Sequence, residues 1–505
     1  MNSFPLLTLI IFIPWLGALL LAQMSRAHPK IIRGLALLFS LSTLALGLVA
    51  WANFTPAAAG YQFVEQHRWI SFLNVSYHLG LDGMSLLLVL LTGLVAPAAL
   101  LASWKIERDP RLFSLLLLFL QGSALGVFLA LDFFPWFIFW ELSLVPAFFL
   151  IKLWGGPGAS RAAYQFVIYT IGGSVFMLLA FAAIFAAVGT FDFVELAVLA
   201  QNGGLATKMS GPALTAIFLG VLLGLAVKVP LFPFHTWLPS AYAEAPTGAS
   251  MFLTGIMSKM GVYGFFRILW PLFPAQLHAA APVLIGLALG GVVLGAFAAM
   301  AQTDLKRMVA YSSINHVSYC LLALFAVSSC GSEPARDSVV PALSGALLQM
   351  FNHGLSASAL FFGIGVLEVR SGGKRGLNDF GGVRTAAPVF AGLCGLAMFS
   401  SLGLPGLNGF VGEFLVFRGV FGLAPWAAAI GCLGLFATAW FLLTFWQRVF
   451  HGPVGPGVAG FKDLSGLEIA TLAPGIALMF VLGVWPQLLV GLFNPLVTAW
   501  ATHLP

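Results

Sequence analysis

Seven ionisable side chains lie inside long apolar stretches of the sequence. Two are glutamates, two are lysines and three are histidines. A charge at the centre of a lipid bilayer costs at least ~2.5–3.5 kcal/mol, so such residues face the protein interior or a water-filled cavity and mark ion or proton pathways. The candidate functional residues are therefore Glu141, Lys228, Lys259, Glu413, His235, His316 and His353.

Lys228 lies in the stretch GLAVKVPLFPFHTWLP, shortly before two prolines. Because Pro230 and Pro233 each disfavour helical geometry at the preceding residue, the helix is predicted to break just after the lysine. Broken helices occur in membranes where they are buried in protein or line a water-filled cavity. We expect His235 to lie in the short second half of this helix, close to Lys228.

Glu413 follows a second interruption, in the stretch SLGLPGLNGFVGEFLVF. Pro405, Gly406, Gly409 and Gly412 precede it. A long span is thus interrupted beside a buried charge for the second time, and the exposed amides and carbonyls of such breaks can bind ions or water.

Glu141 and Lys259 lie near the middle of their apolar stretches. Pro146 follows Glu141 five residues later and removes one backbone donor from its helix. Glu141 could also form a purely structural ion pair with a neighbouring helix. Lys259 is too far from either membrane surface to extend its ammonium into water, so it needs an internal partner or water.

Two further histidines lie deep in spans, His316 in DLKRMVAYSSINH and His353 in QMFNHGLSASALFF. Each is expected either to join a proton route or to be a core residue with satisfied hydrogen bonds. Lys306, near an end of its span, is interpreted as an anchor at the membrane surface.

The amino-acid composition is typical of a membrane protein, so membrane helices are expected to position these residues. Of the 505 residues, 60% are hydrophobic and only 8% are charged, whereas soluble domains carry about 25% charged residues. This excludes a cytosolic enzyme, a nucleic-acid-binding protein and a disordered hub. Stretches of about 20 apolar residues recur along the chain, so the fold class is predicted as an all-α polytopic membrane protein. The first 24 residues lack Lys and Arg and are interpreted as a retained membrane helix.

Fourteen membrane spans are predicted, and the seventh and twelfth are the interrupted ones. Corresponding breaks five spans apart indicate two inverted five-helix repeats with the functional site at the breaks. The predicted segments are 1–111 (three helices), 112–275 (first repeat), 276–452 (second repeat) and 453–505 (C-terminal helix). The spans lie near 4–24, 31–52, 80–103, 112–131, 133–153, 163–188, 211–240, 248–272, 279–302, 308–329, 341–367, 385–421, 425–447 and 469–500.

The distribution of basic residues predicts the orientation. With the N-terminus outside, sixteen Lys and Arg residues fall on the inner side and five on the outer side. Cytoplasmic loops carry the excess of Lys and Arg, so both termini are predicted to lie on the periplasmic side of a bacterial inner membrane. The net charge of +6 has the same origin and does not indicate nucleic acid.

Six ordered motifs resemble a known family. FWELSLVP, VKVPLFPFHTWLP, SKMGVYGFFR, DLKRMVAYSSINH, QMFNHGLSASALFF and SLGLPGLNGFVGEF occur in this order. Together they resemble the antiporter-like subunits M, homologous to mitochondrial subunit 4, of proton-pumping NADH:quinone oxidoreductase (respiratory complex I). The resemblance extends from about residue 79 to the last span.

The resemblance implies a fourteen-helix fold with two inverted repeats, and proton translocation driven by quinone reduction elsewhere in the complex. It implies a Glu141–Lys228 pair, a central lysine at Lys259 and an exit carboxylate at Glu413. It also places His316 and His353 on a central hydrated axis. His235 belongs to the matching FPFHTWLP motif.

One stretch departs from the family pattern. The family usually has LPDAH after the first break, whereas this chain reads LPSAYAEAP, with Ser240 and Tyr242 in place of the Asp and His. Glu244 and Pro246 remain in the pattern.

The resemblance also implies the partners and the cofactors. The partners are other membrane-arm subunits, including the paralogues L and N, and the lipid bilayer. No cofactor is expected in this chain, because its four cysteines match no zinc or iron–sulfur spacing and no GxGxxG is followed by an acidic residue. NADH, FMN, iron–sulfur clusters and quinone are expected in partner subunits.

Three alternatives stay open from the sequence. One is a subunit of an Mrp-type sodium/proton antiporter. Another is the same subunit in a ferredoxin-fed, hydrogenase-linked or carbon-dioxide-hydrating relative of complex I. The third is a quinone-binding redox subunit or a passive membrane scaffold, which the four buried charges and the lack of cofactor ligands argue against.

Overall fold

The computed structural model describes residues 4–58, 60–330, 336–458 and 460–502. In these ranges the chain is mostly helical, and twelve helices are long and apolar enough to cross a membrane. The predicted class of an all-α polytopic membrane protein is confirmed. Two more predicted crossings, near 248–272 and 385–421, are divided into shorter segments, so the total of fourteen stays a prediction, as do the repeat and segment boundaries.

The helices are α1 (Leu6–Gln23), α2 (Pro29–Ala52), α3 (Gly83–Ala102), α4 (Pro110–Leu129), α5 (Phe133–Leu142), α6 (Leu144–Trp154), α7 (Ala159–Val188), α8 (Phe193–Gln201), α9 (Gly204–Lys208), α10 (Gly211–Lys228), α11 (Trp237–Glu244), α12 (Thr247–Phe252), α13 (Ser258–Gly264), α14 (Trp270–Leu272), α15 (Pro274–Met300), α16 (Leu305–Ser328), α17 (Arg336–Arg370), α18 (Val383–Ala386), α19 (Pro388–Ser401), α20 (Asn408–Leu423), α21 (Pro425–Phe450), α22 (Gly466–Val484) and α23 (Gln487–Thr502). Short π-helical segments, Leu253–Met257 and Phe265–Leu269, join α12 to α13 and α13 to α14.

The two breaks occur where the prolines and glycines predict them. Helix α10 ends at Lys228, and a segment of turns over residues 229–236 separates it from α11. Helix α19 ends at Ser401 and α20 begins at Asn408, which places Glu413 in the second half. Both predicted breaks are confirmed, whereas the rank of the second as the twelfth helix depends on the predicted total of fourteen.

Two local predictions are corrected, and one further element is found. His235 lies in the linker before α11 rather than in the second half-helix, because α11 begins only at Trp237. The predicted span 469–500 is two helices, since Pro486 disfavours helical geometry at Trp485. The connection between α2 and α3, for which no structure was predicted, forms an antiparallel β-hairpin of β1 (Gln62–Ile70) and β2 (Val75–Leu81).

The hairpin caps the first helix. Helix α1 follows Pro5 and has no side-chain cap of its own. Glu65 of β1 accepts hydrogen bonds from the backbone amides of Leu7 at 2.7 Å and Thr8 at 3.3 Å. These are two of the amide groups that the first turn of a helix leaves unsatisfied, so the hairpin fixes the start of α1.

The centre of the bundle is formed by α16 and α17. Their most apolar 18-residue stretches are 94% and 100% buried, whereas the same measure for α2, α7 and α22 is 28%, 33% and 28%. Helices buried on all sides have no lipid-facing surface, so polar residues on them contact other protein groups. Both predicted deep histidines lie on these two helices, His316 on α16 and His353 on α17.

Candidate functional site

Four of the predicted residues meet in the middle of the bundle. Lys259 lies on α13, His353 on α17, His316 on α16 and Glu413 on α20. Their exposed fractions are 1%, 4%, 3% and 6%, respectively. Four different elements thus bring one lysine, two imidazoles and one carboxylate into a buried row, which we call the central row.

Lys259 begins the central row. Its Nζ donates a hydrogen bond to the Thr254 carbonyl at 2.7 Å and lies 2.7 Å from Nδ1 of His353. Thr254 belongs to the π-helical segment directly before α13, and its carbonyl also accepts from Ser258 Oγ at 3.0 Å. The predicted internal partner of Lys259 is therefore an imidazole together with a carbonyl of its own helix.

The two histidines lie next to each other. The ring centroids of His353 and His316 are 5.4 Å apart, and their planes are inclined by 30°. The rings are stacked, so a proton would cross between them after a ring rotation or through one water molecule. Nε2 of His316 has no hydrogen-bond partner.

Glu413 ends the central row. Its Oε1 lies 3.0 Å from Nδ1 of His316, and Gln349 Nε2 donates to Oε1 at 3.3 Å. The break before α20 passes close to this carboxylate. A Cβ atom at Gly403, where φ is +79°, would lie 2.8 Å from Oε2 of Glu413. A side chain at this position would be strained by the left-handed backbone and would displace the Glu413 carboxylate, so glycine is favoured there.

Two asparagines stabilise the second break. Asn352 Nδ2 donates to the Asn408 carbonyl at 2.6 Å, and Asn408 Nδ2 donates to Asn352 Oδ1 at 3.1 Å. Ser400 Oγ donates to Asn408 Oδ1 at 2.6 Å. The first residue of α20 is thereby connected to the end of α19 and to α17, next to His353.

Lys228 occupies a different environment from Lys259. Its Nζ donates to Ser143 Oγ at 3.1 Å and lies 4.6 Å from the centroid of the Trp140 ring, a cation–π distance. Ser143 lies between α5 and α6, because Pro146 has no N–H for the Leu142 carbonyl. Pro146, on the side of α5 and α6, and Pro230 and Pro233, on the side of α10, therefore shape the surroundings of Lys228.

The predicted Glu141–Lys228 pair is not in direct contact. Among the ion pairs of the described residues, none within 4.0 Å joins Glu141 to Lys228. Oε1 of Glu141 has no hydrogen-bond partner, although the side chain is half-buried. In this conformation, any coupling between the Glu141 carboxylate and the Lys228 ammonium therefore acts over a distance longer than an ion-pair contact.

His235 is separate from both clusters. Its ring stacks on Phe232 with centroids 5.3 Å apart, and its Nδ1 has no hydrogen-bond partner. The side chain is half-buried. The structure therefore places His235 at the first break without joining it to Lys228.

Sequence reasoning missed the neutral polar residues of the site. Ser143, Gln349, Asn352 and Asn408 all contact a predicted residue or stabilise a break. All four lie inside apolar stretches, which is a usable signal because a buried polar group needs a partner. The signal is weaker than that of a charge, since a neutral amide or hydroxyl costs less to bury.

The described residues include no group of three His, Cys, Asp or Glu side chains placed to hold a metal ion. The four cysteines are free.

Two family models match the chain. The model described as "NADH:quinone oxidoreductase/Mrp antiporter, TM" matches residues 130–438. The model described as "NADH-ubiquinone oxidoreductase chain 4, amino terminus" matches residues 8–126.

Curated relatives align over nearly the whole chain. NADH-quinone oxidoreductase subunit M of Mycobacterium tuberculosis is 35% identical, over 98% of this chain and 94% of the relative. The same subunit of Rhodobacter capsulatus is 35% identical, over 97% and 95%. F(420)H(2) dehydrogenase subunit M of Methanosarcina mazei is 37% identical, over 96% and 95%.

Solved structures show the same fold. A chain of respiratory complex I from Thermus thermophilus superimposes with a TM-score of 0.85 at 31% identity, covering 99% of this chain and 100% of that chain. A chain of the Mrp complex from Dietzia sp. superimposes with a TM-score of 0.82 at 20% identity, covering 100% and 98%. The second likeness concerns the fold alone.

Proposed function

Because the chain belongs to the family of NADH-quinone oxidoreductase subunit M, the antiporter-like membrane subunits of complex I, we propose that it translocates protons as part of such a complex. The observation that carries the proposal is the central row. Lys259, His353, His316 and Glu413 form a buried series of groups that can each gain and lose a proton, with end contacts of 2.7 Å and 3.0 Å. A structural core would not need four such groups in series.

The central row supplies a path for proton transfer, and we propose that it runs from Lys259 to Glu413. Lys259 Nζ releases a proton to His353 Nδ1, the imidazole of His316 receives it after the ring-to-ring step, and Glu413 Oε1 accepts it from His316 Nδ1. Gln349 holds the carboxylate in place by donating to the same oxygen. Each imidazole has a second ring nitrogen, so it can take a proton on one side and give it up on the other.

The first break is proposed as the input. Glu141, Lys228 and His235 lie there, and Lys228 has a hydroxyl and an aromatic ring as its contacts. When Glu141 approaches Lys228 the protonated lysine is stabilised, and when it withdraws the proton is released towards Lys259. Input would run from the cytoplasmic side past His235 and Lys228, and exit past Glu413 to the periplasmic side.

The assembly and its location belong to the same proposal. We propose a bacterial inner membrane with both chain termini on the periplasmic side, and paralogous subunits L and N as neighbours. NADH, FMN, iron–sulfur clusters and quinone would be bound by partner subunits, which makes this chain part of a translocase without a redox centre of its own. The Methanosarcina mazei relative is named for a different electron donor. Purification of the complex would identify the electron donor that serves this chain.

Replacing Glu413 tests the proposal. In the assembled complex, Glu413→Gln keeps the size and the hydrogen-bond acceptor but removes the exchangeable proton. Protons moved per quinone reduced should fall, measured with a pH-sensitive dye in membrane vesicles. Glu468→Gln is the matched control, because Glu468 contacts Arg370 at the end of the bundle, away from the central row. Normal pumping in assembled Glu413→Gln would contradict the proposal.

The exit side is tested by thiol labelling. A cysteine at Glu413, in a background without the four native cysteines, should react with a membrane-impermeant reagent added outside. Labelling only from the cytoplasmic side would reverse the assignment, and no labelling from either side would contradict a water-filled exit.

A further inference from the structure

A second cluster of charges lies at the end of the bundle where α11 finishes, and Arg375 is at its centre. In the loop after α17, Arg375 contacts three carboxylates: Glu244 at 3.0 Å, Asp304 at 2.7 Å and Glu368 at 4.0 Å. Burial alone would lower the pKa of the Arg375 guanidinium, but Asp304, Glu244 and Glu368 outweigh it and raise that pKa above its usual value. Arg375 therefore stays charged at any physiological pH.

Lys306 belongs to the same cluster. Its Nζ lies 2.6 Å from Oε2 of Glu368 and donates to the Ala245 carbonyl at 3.3 Å. Its side chain is only 3% exposed, so the expected surface anchor is in fact a buried ion pair. We call the five residues Arg375, Lys306, Glu368, Asp304 and Glu244 the clasp.

The clasp holds the C-terminal end of α11. Arg375 Nη1 donates to the Ala243 carbonyl at 2.8 Å, and the same guanidinium forms the ion pair with Glu244. Lys306 Nζ donates to the Ala245 carbonyl. Three consecutive residues are therefore bound by cations. The last carbonyls of a helix have no intrahelical partners, and cations near this end are favourable.

Helix α11 in turn contacts both lysine sites. Trp237 Nε1 donates to the Val227 carbonyl at 2.9 Å, directly before Lys228. Tyr242 OH donates to the Leu253 carbonyl at 2.8 Å, in the π-helical segment whose next carbonyl accepts from Lys259. The hydroxyl of Tyr242, at a position where the family usually has histidine, thus connects the broken helix to the central row.

The helices that supply the clasp also carry the histidines. Lys306 and His316 lie on α16, and Glu368 and His353 lie on α17. A displacement of α11 is therefore resisted by the same two helices that position the imidazoles.

We propose that the clasp fixes α11 and thereby sets the relative positions of Lys228 and Lys259, which makes Arg375 a positioning residue for transfer between them. The consequence for pumping rests on the proposed function, whereas the mechanical connection does not. Arg375 itself touches neither lysine.

The experiment uses Arg375→Gln in the assembled complex, with Ser240→Cys on α11 as a reporter and the four native cysteines replaced. Ser240 is half-buried and lies four residues before Glu244. If the clasp holds α11, its loss should raise the labelling rate of the reporter about tenfold, which corresponds to ~1.4 kcal/mol. Protons moved per quinone reduced should fall in the same variant.

Arg370→Gln is the matched control. Arg370 forms a 2.6 Å ion pair with Glu468 at the same end of the bundle, and this pair makes no contact with α11. In Arg370→Gln, the labelling rate of the Ser240→Cys reporter and the proton pumping of the complex should both stay unchanged. Arg375→Lys should fall between wild type and Arg375→Gln, because lysine keeps the charge but not the several donors of guanidinium.

Two results would overturn the inference. An unchanged labelling rate in Arg375→Gln would show that the clasp does not hold α11. Faster labelling with normal pumping would show that α11 does not position the lysines. Since labelling needs no proton transport, failure of the clasp is distinguishable from failure of the proposed function, which Glu413→Gln tests separately.

Discussion

Replacing Lys259 by arginine separates a lysine that releases its proton from one that only supplies positive charge. The structure gives Lys259 Nζ two uncharged contacts at 2.7 Å, the Thr254 carbonyl and His353 Nδ1. Arginine can donate to both and keeps the charge, so a purely structural role should survive Lys259→Arg. A relay should not, because arginine does not deprotonate in proteins.

The expected magnitude follows from the ordinary acidities of the two side chains. Arginine is a weaker acid than lysine by ~2–3 pKa units, or ~3–5 kcal/mol at ~1.36 kcal/mol per unit. In the same surroundings, the deprotonated form would be ~100–1000-fold rarer in the arginine variant. We therefore expect pumping through this chain to fall to background.

The assay measures proton uptake and quinone reduction together in membrane vesicles, at equal amounts of assembled complex. Lys105→Arg is the control for the chemical change, since Lys105 is 71% exposed and its 3.4 Å contact with Glu468 lies at the surface. Wild-type pumping by Lys259→Arg, or by Lys259→Met, would refute the relay.

Three further changes test separate parts of the structure. Glu141→Gln should reduce pumping and coupled quinone reduction while the complex assembles, because an amide cannot carry the proton; normal pumping would contradict the role. Gly403→Ala should cost ~1–2 kcal/mol of backbone strain and shift the Glu413 carboxylate, lowering pumping. Gly372→Ala, with φ of +71° and nothing within 4 Å of the added Cβ, is its control, and equal effects would argue against the Glu413 contact. Glu65→Gln should weaken the cap of α1 by ~0.5–2 kcal/mol, and an unchanged melting temperature of the purified complex would argue against capping.

The sequence predicts those parts of the site where a charged residue or a proline interrupts an apolar span. A charge in a hydrocarbon environment is costly, so Lys228, Lys259 and Glu413 stand out without any structure. Pro230 and Pro233 determine the first break through their own backbone chemistry, and α10 ends where they require.

The pairings could not be predicted, because they depend on how helices distant in sequence pack. His316 and Glu413 are 97 positions apart in the numbering, yet their side chains meet at 3.0 Å. The expected Glu141–Lys228 contact is absent from this conformation, because Ser143 and Trp140 occupy the surroundings of the ammonium. Arg375 is an ordinary basic loop residue by sequence, and only the approach of α11, α16 and α17 gives it three carboxylates.

Local patterns also have limits at helix ends. The alternation in QFVEQHRWI is short and lies in a connection between apolar spans, so hydropathy does not reveal the β-hairpin. Similarly, Trp485 and Pro486 lie within continuous apolar sequence, where hydropathy predicts one span and backbone geometry gives two.

The π-helical segment before Lys259 divides the contacts of this lysine into a permanent one and a switchable one. The Thr254 carbonyl belongs to the same helix, so it accompanies the ammonium whatever the neighbouring helices do. The contact with His353 depends on the orientation of one imidazole ring. In the proposed relay, rotation of that ring alone would therefore interrupt the path from Lys259 to His316, while the lysine keeps a hydrogen-bond acceptor and no helix has to move.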